Sequence, residues 1–174
     1  MQSSNIVLIG FMGSGKSSVS KLLAESLRRK LYSTDSMIEN RTKKTIQEIF
    51  NSKGEKHFRK LERSVIKELS SKKNAIIDCG GGIILQQANI NDLKRNGCVF
   101  YLKAGPAFLY KMVQKKKNRP LLAVEDPFKV IKRILLDRKE QYEQADFTVR
   151  SENRTIKQMC EKIILIAKKE GILL

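Results

Sequence analysis

A chain of 174 residues, 41% hydrophobic and 30% charged, has the size and composition of one globular domain and excludes a disordered polymer. The 35 Lys and Arg outnumber the 18 Asp and Glu to leave a formal charge of +17, which points to an anionic partner: nucleic acid, a membrane surface or small phosphorylated molecules. No run of eighteen apolar residues is present, no basic flank or cleavage-type site precedes the first apolar run, and Cys79, Cys98 and Cys160 lack metal-ligand spacing. A cytoplasmic protein without a disulfide or zinc site is expected.

Residues 5–9 form the first apolar run and read as a buried strand. Directly after it, Gly10-Phe11-Met12-Gly13-Ser14-Gly15-Lys16-Ser17 matches G-x-x-x-x-G-K-[ST] in full and opens an amphipathic helix predicted over 16–29. Glycines let the backbone wrap phosphates, and the amides of Gly13, Ser14, Gly15 and the following Ser17 and Ser18 face the negative charge. Lys16 bridges the terminal phosphates and the Ser17 hydroxyl ligates Mg²⁺. Binding of ATP or GTP follows.

Residues 31–34 predict a short strand ahead of Asp35, and helical periodicity runs over 36–52. Ser36 and Glu39 stand at capping-box spacing, so Ser36 can start the helix and leave Asp35 spare. Asp35 is then either one more helix-start residue or a group that takes a proton from a substrate. Gly54-Glu55-Lys56-His57-Phe58-Arg59 leads into a helix over 58–69, on which Arg59 and Glu62 are spaced to pair on one face. Such pairs are commonly surface decoration, yet a fixed guanidinium is also what grips a carboxylate in two places. His57 has no second His or nearby Cys and reads as packed or exposed.

A second apolar strand over 75–78 ends at Asp78 and runs into Gly80-Gly81-Gly82, at the strand end where open parallel sheets hold ligands. A helix over 89–94, a strand over 98–102 and a helix over 106–113 follow. The stretch 114–126, with Lys115-Lys116-Lys117 and a proline, reads as a basic loop. Beyond it lie a helix over 128–144 carrying Arg138, a weaker strand over 147–149 and a helix over 156–168. Strands alternating with helices imply an α/β fold with a parallel sheet covered on both faces.

Taken in order, these residues resemble the shikimate kinase family. The resemblance rests on the phosphate loop, Thr34-Asp35 with Ile38-Glu39 behind it, the block Ile46, Ile49-Phe50, Gly54-Glu55, Phe58-Arg59 and Glu62, the triple glycine, Arg119-Pro120-Leu121-Leu122, and Arg138 with Tyr142 and Ala145-Asp146. It implies a three-layer P-loop fold of nucleoside-monophosphate-kinase type, with a five-stranded parallel sheet in a single domain over 1–174. It also implies transfer of the ATP γ-phosphoryl group to the 3-hydroxyl of shikimate with Mg²⁺, a step toward chorismate and aromatic amino acids. The acceptor would be held by Asp35, Arg59 and Arg138 with backbone from Gly80, Gly81 and Gly82, the first two lying in an acceptor-binding region of about 33–62. Asp35 would accept the hydroxyl's hydrogen bond or proton, and Arg119 would act from a lid over about 114–126. A monomer acting on shikimate and ATP, without nucleic acid or membrane, is the expected working form.

Three departures stand out. Many members carry a carboxylate where this chain has Ser33, and a Ser or Thr is common near the position of Asp78. A lid-start arginine common in the family is replaced by Lys111 and Lys115, so no adenine-stacking residue is assigned. The Ser33 and Asp78 pair suggests an exchange, with the metal-supporting carboxylate supplied from 78, against the plainer alternative that Asp78 hydrogen-bonds the Gly80–82 turn. The rivals are another small P-loop kinase, for gluconate or a nucleoside monophosphate, and a basic nucleic-acid-binding P-loop protein.

Overall fold

The computed structural model describes residues 4–114 and 125–173. Five strands, β1 (Asn5–Ile9), β2 (Lys30–Ser33), β3 (Ala75–Asp78), β4 (Gly97–Lys103) and β5 (Phe147–Arg150), form one sheet in the order β2-β3-β1-β4-β5, with every pair parallel. The helices among the described residues are α1 (Lys16–Leu27), α2 (Thr34–Thr42), α3 (Ile46–Leu69), α4 (Gln87–Arg95), α5 (Pro106–Gln114), α6 (Pro127–Asp137), α7 (Lys139–Glu143) and α8 (Ile156–Lys169). A short 3₁₀ turn, Ile83–Leu85, follows the triple glycine.

Strand side chains alternate between two cores. On one face Val7, Ile9, Ile77, Val99 and Tyr101 pack with α3, α4 and Tyr142 of α7. On the other, Ile6, Leu8, Ile76, Phe100, Leu102 and Val149 pack with Val19 and Leu23 of α1 and Met159, Cys160 and Ile163 of α8. Burying each such side chain is worth about 1.5–3 kcal/mol. This is why the central strands read as unbroken apolar runs: both of their faces are covered. A third cluster packs Phe11 of the phosphate loop against Ala104, Leu109 of α5 and Ile131 of α6, anchoring the loop from behind.

Two predicted helices are each broken in two. The span 36–52 divides where α2 ends at Lys43, in the left-handed region at φ 55, and α3 restarts at Thr45. Thr45 Oγ1 accepts from Glu48 N while Glu48 Oε2 accepts from Thr45 N, so the capping box lies there and not at Ser36 and Glu39. Ser33 caps α2, its Oγ accepting from Ser36 N at 3.4 Å, and Glu39 accepts from Ile46 N at 3.0 Å to bridge the two helices. The predicted helix over 58–69 is the second part of α3, which bends at Gly54 (φ 73, ψ 173). The span 128–144 breaks at Arg138, which closes α6 and opens α7.

Candidate active site

The C-terminal ends of β1, β2 and β3 converge on one crevice. Leu8 of β1 and Ser33 of β2 are both register partners of Asp78 at the end of β3, so the phosphate loop, Asp35 and the triple glycine leave the sheet side by side.

Gly15 caps α1 at φ 92, a conformation glycine adopts without a Cβ penalty, and the turn aims the helix N-terminus into the crevice. Lys16 Nζ donates to Gly10 O at 2.7 Å and Phe11 O at 3.2 Å, which holds the ammonium across the loop. Ser14 is buried, and its hydroxyl has no hydrogen-bond partner among the described residues. An orphaned buried hydroxyl of this kind is what a phosphate oxygen would satisfy. Ser17 and Ser18 are exposed on the first turn of α1.

Each residue of the triple glycine meets one of the predicted acceptor residues. Gly80 N donates to Thr34 Oγ1 at 2.8 Å, and the Asp35 carboxylate lies where a side chain on Gly80 would sit. Gly81 O accepts from Arg138 Nη1 at 3.1 Å, across 57 residues of sequence. Gly82 leaves room for the Arg59 guanidinium, which a Cβ at that position would strike.

Arg59 is held from two sides. Nη1 donates to Glu62 Oε2 at 2.6 Å, and Nη2 and Nε donate to Glu55 Oε1 at 2.7 and 3.1 Å. The Glu62 side chain is 1% exposed against 61% for Glu55, so the first contact is a fixed buried pair and the second an exposed one. Burial pushes the Glu62 carboxyl up, with Arg59 pulling it down and nearby Asp35 adding to the rise. Burial works to lower the Arg59 pKa, but its two carboxylate partners more than offset this and raise it. Glu62 thus ties the guanidinium to the crevice wall beside Asp35. Sequence spacing identified the Arg59 and Glu62 pair but not its burial, and Thr34 had no signal beyond its place before Asp35.

Behind Arg138, the Tyr142 ring stacks on Tyr101 at a centroid separation of 4.6 Å. Burial pushes the Tyr142 phenol up to about 12, opposed by the neighbouring Arg138. Asp78 is buried, which raises its carboxyl, while the Lys16 charge and a hydrogen bond with Ser17 pull it down. His57 is exposed on α3. Arg119 and the basic run from Lys115 lie outside the described residues. At the two ends of the predicted lid, Gln114 closes α5 and Asp126 caps α6, accepting from Lys129 N at 2.9 Å.

A phosphate loop leaving the central strand of a five-stranded parallel sheet, next to a crevice where Asp35, Arg59 and Arg138 meet the triple glycine, defines a P-loop kinase of the nucleoside-monophosphate-kinase-like fold. The family model for shikimate kinase matches residues 12–168. Shikimate kinases from Caldanaerobacter subterraneus subsp. tengcongensis and Thermodesulfovibrio yellowstonii are 42% and 43% identical to this chain over 160 residues. Each alignment covers 92% of this chain, with 94% and 92% of the respective relatives. The solved shikimate kinase from Acinetobacter baumannii in complex with shikimate has a TM-score of 0.92 to this chain at 35% identity, covering 98% of this chain and 96% of its own. The chain belongs to the shikimate kinase family, and its reaction is the ATP-dependent phosphorylation of shikimate.

Proposed function

We propose that the γ-phosphoryl group of ATP passes to the 3-hydroxyl of a shikimate molecule lying on Gly80–82 between Asp35, Arg59 and Arg138. The observation that carries this is the one-to-one meeting of those three side chains with the three glycines. Shikimate is a small ring bearing one carboxylate and several hydroxyls, and two guanidiniums supply the planar forks that a carboxylate accepts. Glu55, exposed and paired with the Nε and Nη2 edge of Arg59, gives way to the substrate carboxylate there, while buried Glu62 keeps Nη1 fixed. Asp35 accepts the proton of the attacking hydroxyl as its oxygen bonds to phosphorus and the bond to the ADP leaving oxygen breaks. Lys16 leaves the loop carbonyls for the terminal phosphates, and Arg119, outside the described residues, is assigned to the charge of the transferring group, as expected of the family's lid arginine.

The loop fits a nucleotide carrying Mg²⁺. Its Ser17 hydroxyl is the kind of hard oxygen ligand this ion takes, and the buried Ser14 hydroxyl, without a partner among the described residues, is placed to donate to a phosphate oxygen. Bound there, Mg²⁺ would offset negative charge on the phosphates during transfer. We propose further that the chain is one domain, in which the region of about 33–62 carries Asp35 and Arg59 to the acceptor while Gly80–82 and Arg138 complete the site from outside it, and that the protein acts as a cytoplasmic monomer.

Arg59→Lys tests the acceptor assignment, because a point charge cannot reproduce a two-donor grip. The expected loss is about 2–5 kcal/mol, seen as weaker shikimate use with ATP binding retained. An unchanged KM for shikimate with unchanged turnover would remove Arg59 from the acceptor site.

A further inference from the structure

We infer that Asp78 supports the Mg²⁺ of the bound nucleotide in this chain, accepting a hydrogen bond from metal-bound water, in place of a carboxylate that strand β2 lacks at Ser33. The inference rests on the kinase function proposed above and goes beyond it in assigning the metal's protein carboxylate.

Positions 33 and 78 are register partners at the C-terminal ends of neighbouring parallel strands, so they are adjacent at the same height above the sheet. Position 78 is also the partner of Leu8, two residues before the phosphate loop begins at Gly10. Only one of these neighbouring side chains can supply negative charge. Ser33 is committed elsewhere, since its hydroxyl accepts from Ser36 N and caps α2. Asp78 turns to the loop, where its carboxylate bonds to Ser17 and faces the Lys16 ammonium.

The crevice acids divide their work. Glu62 fixes Arg59, Asp35 packs on Gly80 at the acceptor side, and Asp78 meets Ser17. A role for Asp78 as a simple turn residue fits poorly with the hydrogen bonds around it. Cys79 N donates to Leu8 O at 3.1 Å and Gly80 N donates to Thr34 Oγ1, so the first two amides beyond Asp78 are already taken. A carboxylate kept buried beside a phosphate site, when two of the amides it could serve are satisfied otherwise, matches the needs of a hydrated divalent cation. Mg²⁺ keeps several waters and is held through one or two carboxylates plus phosphate oxygens.

The test is Mn²⁺ binding to the full-length protein with ADP, followed by electron paramagnetic resonance, together with ADP affinity measured in EDTA. Asp78→Asn and Asp78→Ser should weaken Mn²⁺ binding about 10–100-fold, the usual loss when a group orienting a metal's ligands is removed. Metal-free ADP should bind as well or better, because a negative charge near the phosphates is gone. Adding Ser33→Asp to Asp78→Ser should recover part of the loss, since Asp caps a helix as well as Ser does and α2 keeps its start. Wild-type Mn²⁺ affinity in the Asp78 variants, an equal loss of ADP affinity with and without metal, or no recovery from Ser33→Asp would each overturn the inference. Failure of the kinase assignment is a separate result, visible as no shikimate-dependent ADP release by the wild-type protein.

Discussion

Gly82 and Asp78 show how single positions tie the fold to its chemistry. Gly82 has ordinary backbone angles (φ −101, ψ −5), so alanine there meets no backbone penalty, only the guanidinium of Arg59. Gly82→Ala should therefore displace Arg59 and weaken shikimate binding by an order of magnitude or more, about 1.4 kcal/mol per factor of ten, while ADP binding holds. Calorimetric titration of both ligands checks this, and equal affinities for shikimate would place Arg59 elsewhere during binding. Asp78 carries a cost in the nucleotide-free protein: burial raises its carboxyl above the ordinary 3.8, so the folded state holds the proton more tightly than the unfolded chain. The sign follows from proton linkage. Stability from this group is full below the unfolded pKa and is lost as pH rises through the folded one. Asp78→Asn should thus melt higher than wild type at about pH 7, and the gap should close as pH falls below the ordinary carboxylate range. Melting curves of the metal-free proteins across that range give the answer, and a variant less stable at neutral pH would contradict it.

At the scale of elements, the bend in α3 positions Phe58, Arg59 and Glu62. Gly54 sits at φ 73 and ψ 173, a region open almost only to glycine, with no atom of the described residues within 4 Å of where a Cβ would be. The penalty for Gly54→Ala is therefore backbone strain, about 1–3 kcal/mol, or a straightened helix that moves Arg59 from the glycines. Denaturant melts and the KM for shikimate should both worsen. An alanine variant equal to wild type in both would show that the bend is dispensable. The central strands were legible because β1, β3 and β4 are covered on both faces and read as apolar runs. The division of residues 36–52 was not, because apolar periodicity continues from Met37 and Ile38 into Ile46 and Ile49 while the break is made by chain geometry at Lys43 and capping at Thr45. Ser36 and Glu39 had the right spacing for a capping box, but the helix starts earlier, at Thr34, and Glu39 is used by Ile46.

Across the whole molecule, the charge of +17 alone suits several anionic partners, and the placement of particular cations narrows the choice. Arg59 and Arg138 face the triple glycine and Lys16 spans the phosphate loop, so three cations from distant parts of the chain serve one crevice. The motif order in the sequence pointed to these residues through resemblance to a family. It could not show that Arg138 reaches Gly81 across 57 residues, nor that Glu62 is buried while its equally well spaced neighbour Glu55 is exposed. Those facts depend on how α3 and α6 pack over the sheet, which local periodicity does not encode. The most direct measurement is a coupled ADP-release assay with shikimate, gluconate and nucleoside monophosphates side by side, with phosphorus NMR locating the phosphate on the product. Rapid turnover with shikimate alone, and phosphate on its 3-oxygen, is the predicted result. Faster turnover with gluconate or a nucleoside monophosphate would contradict it.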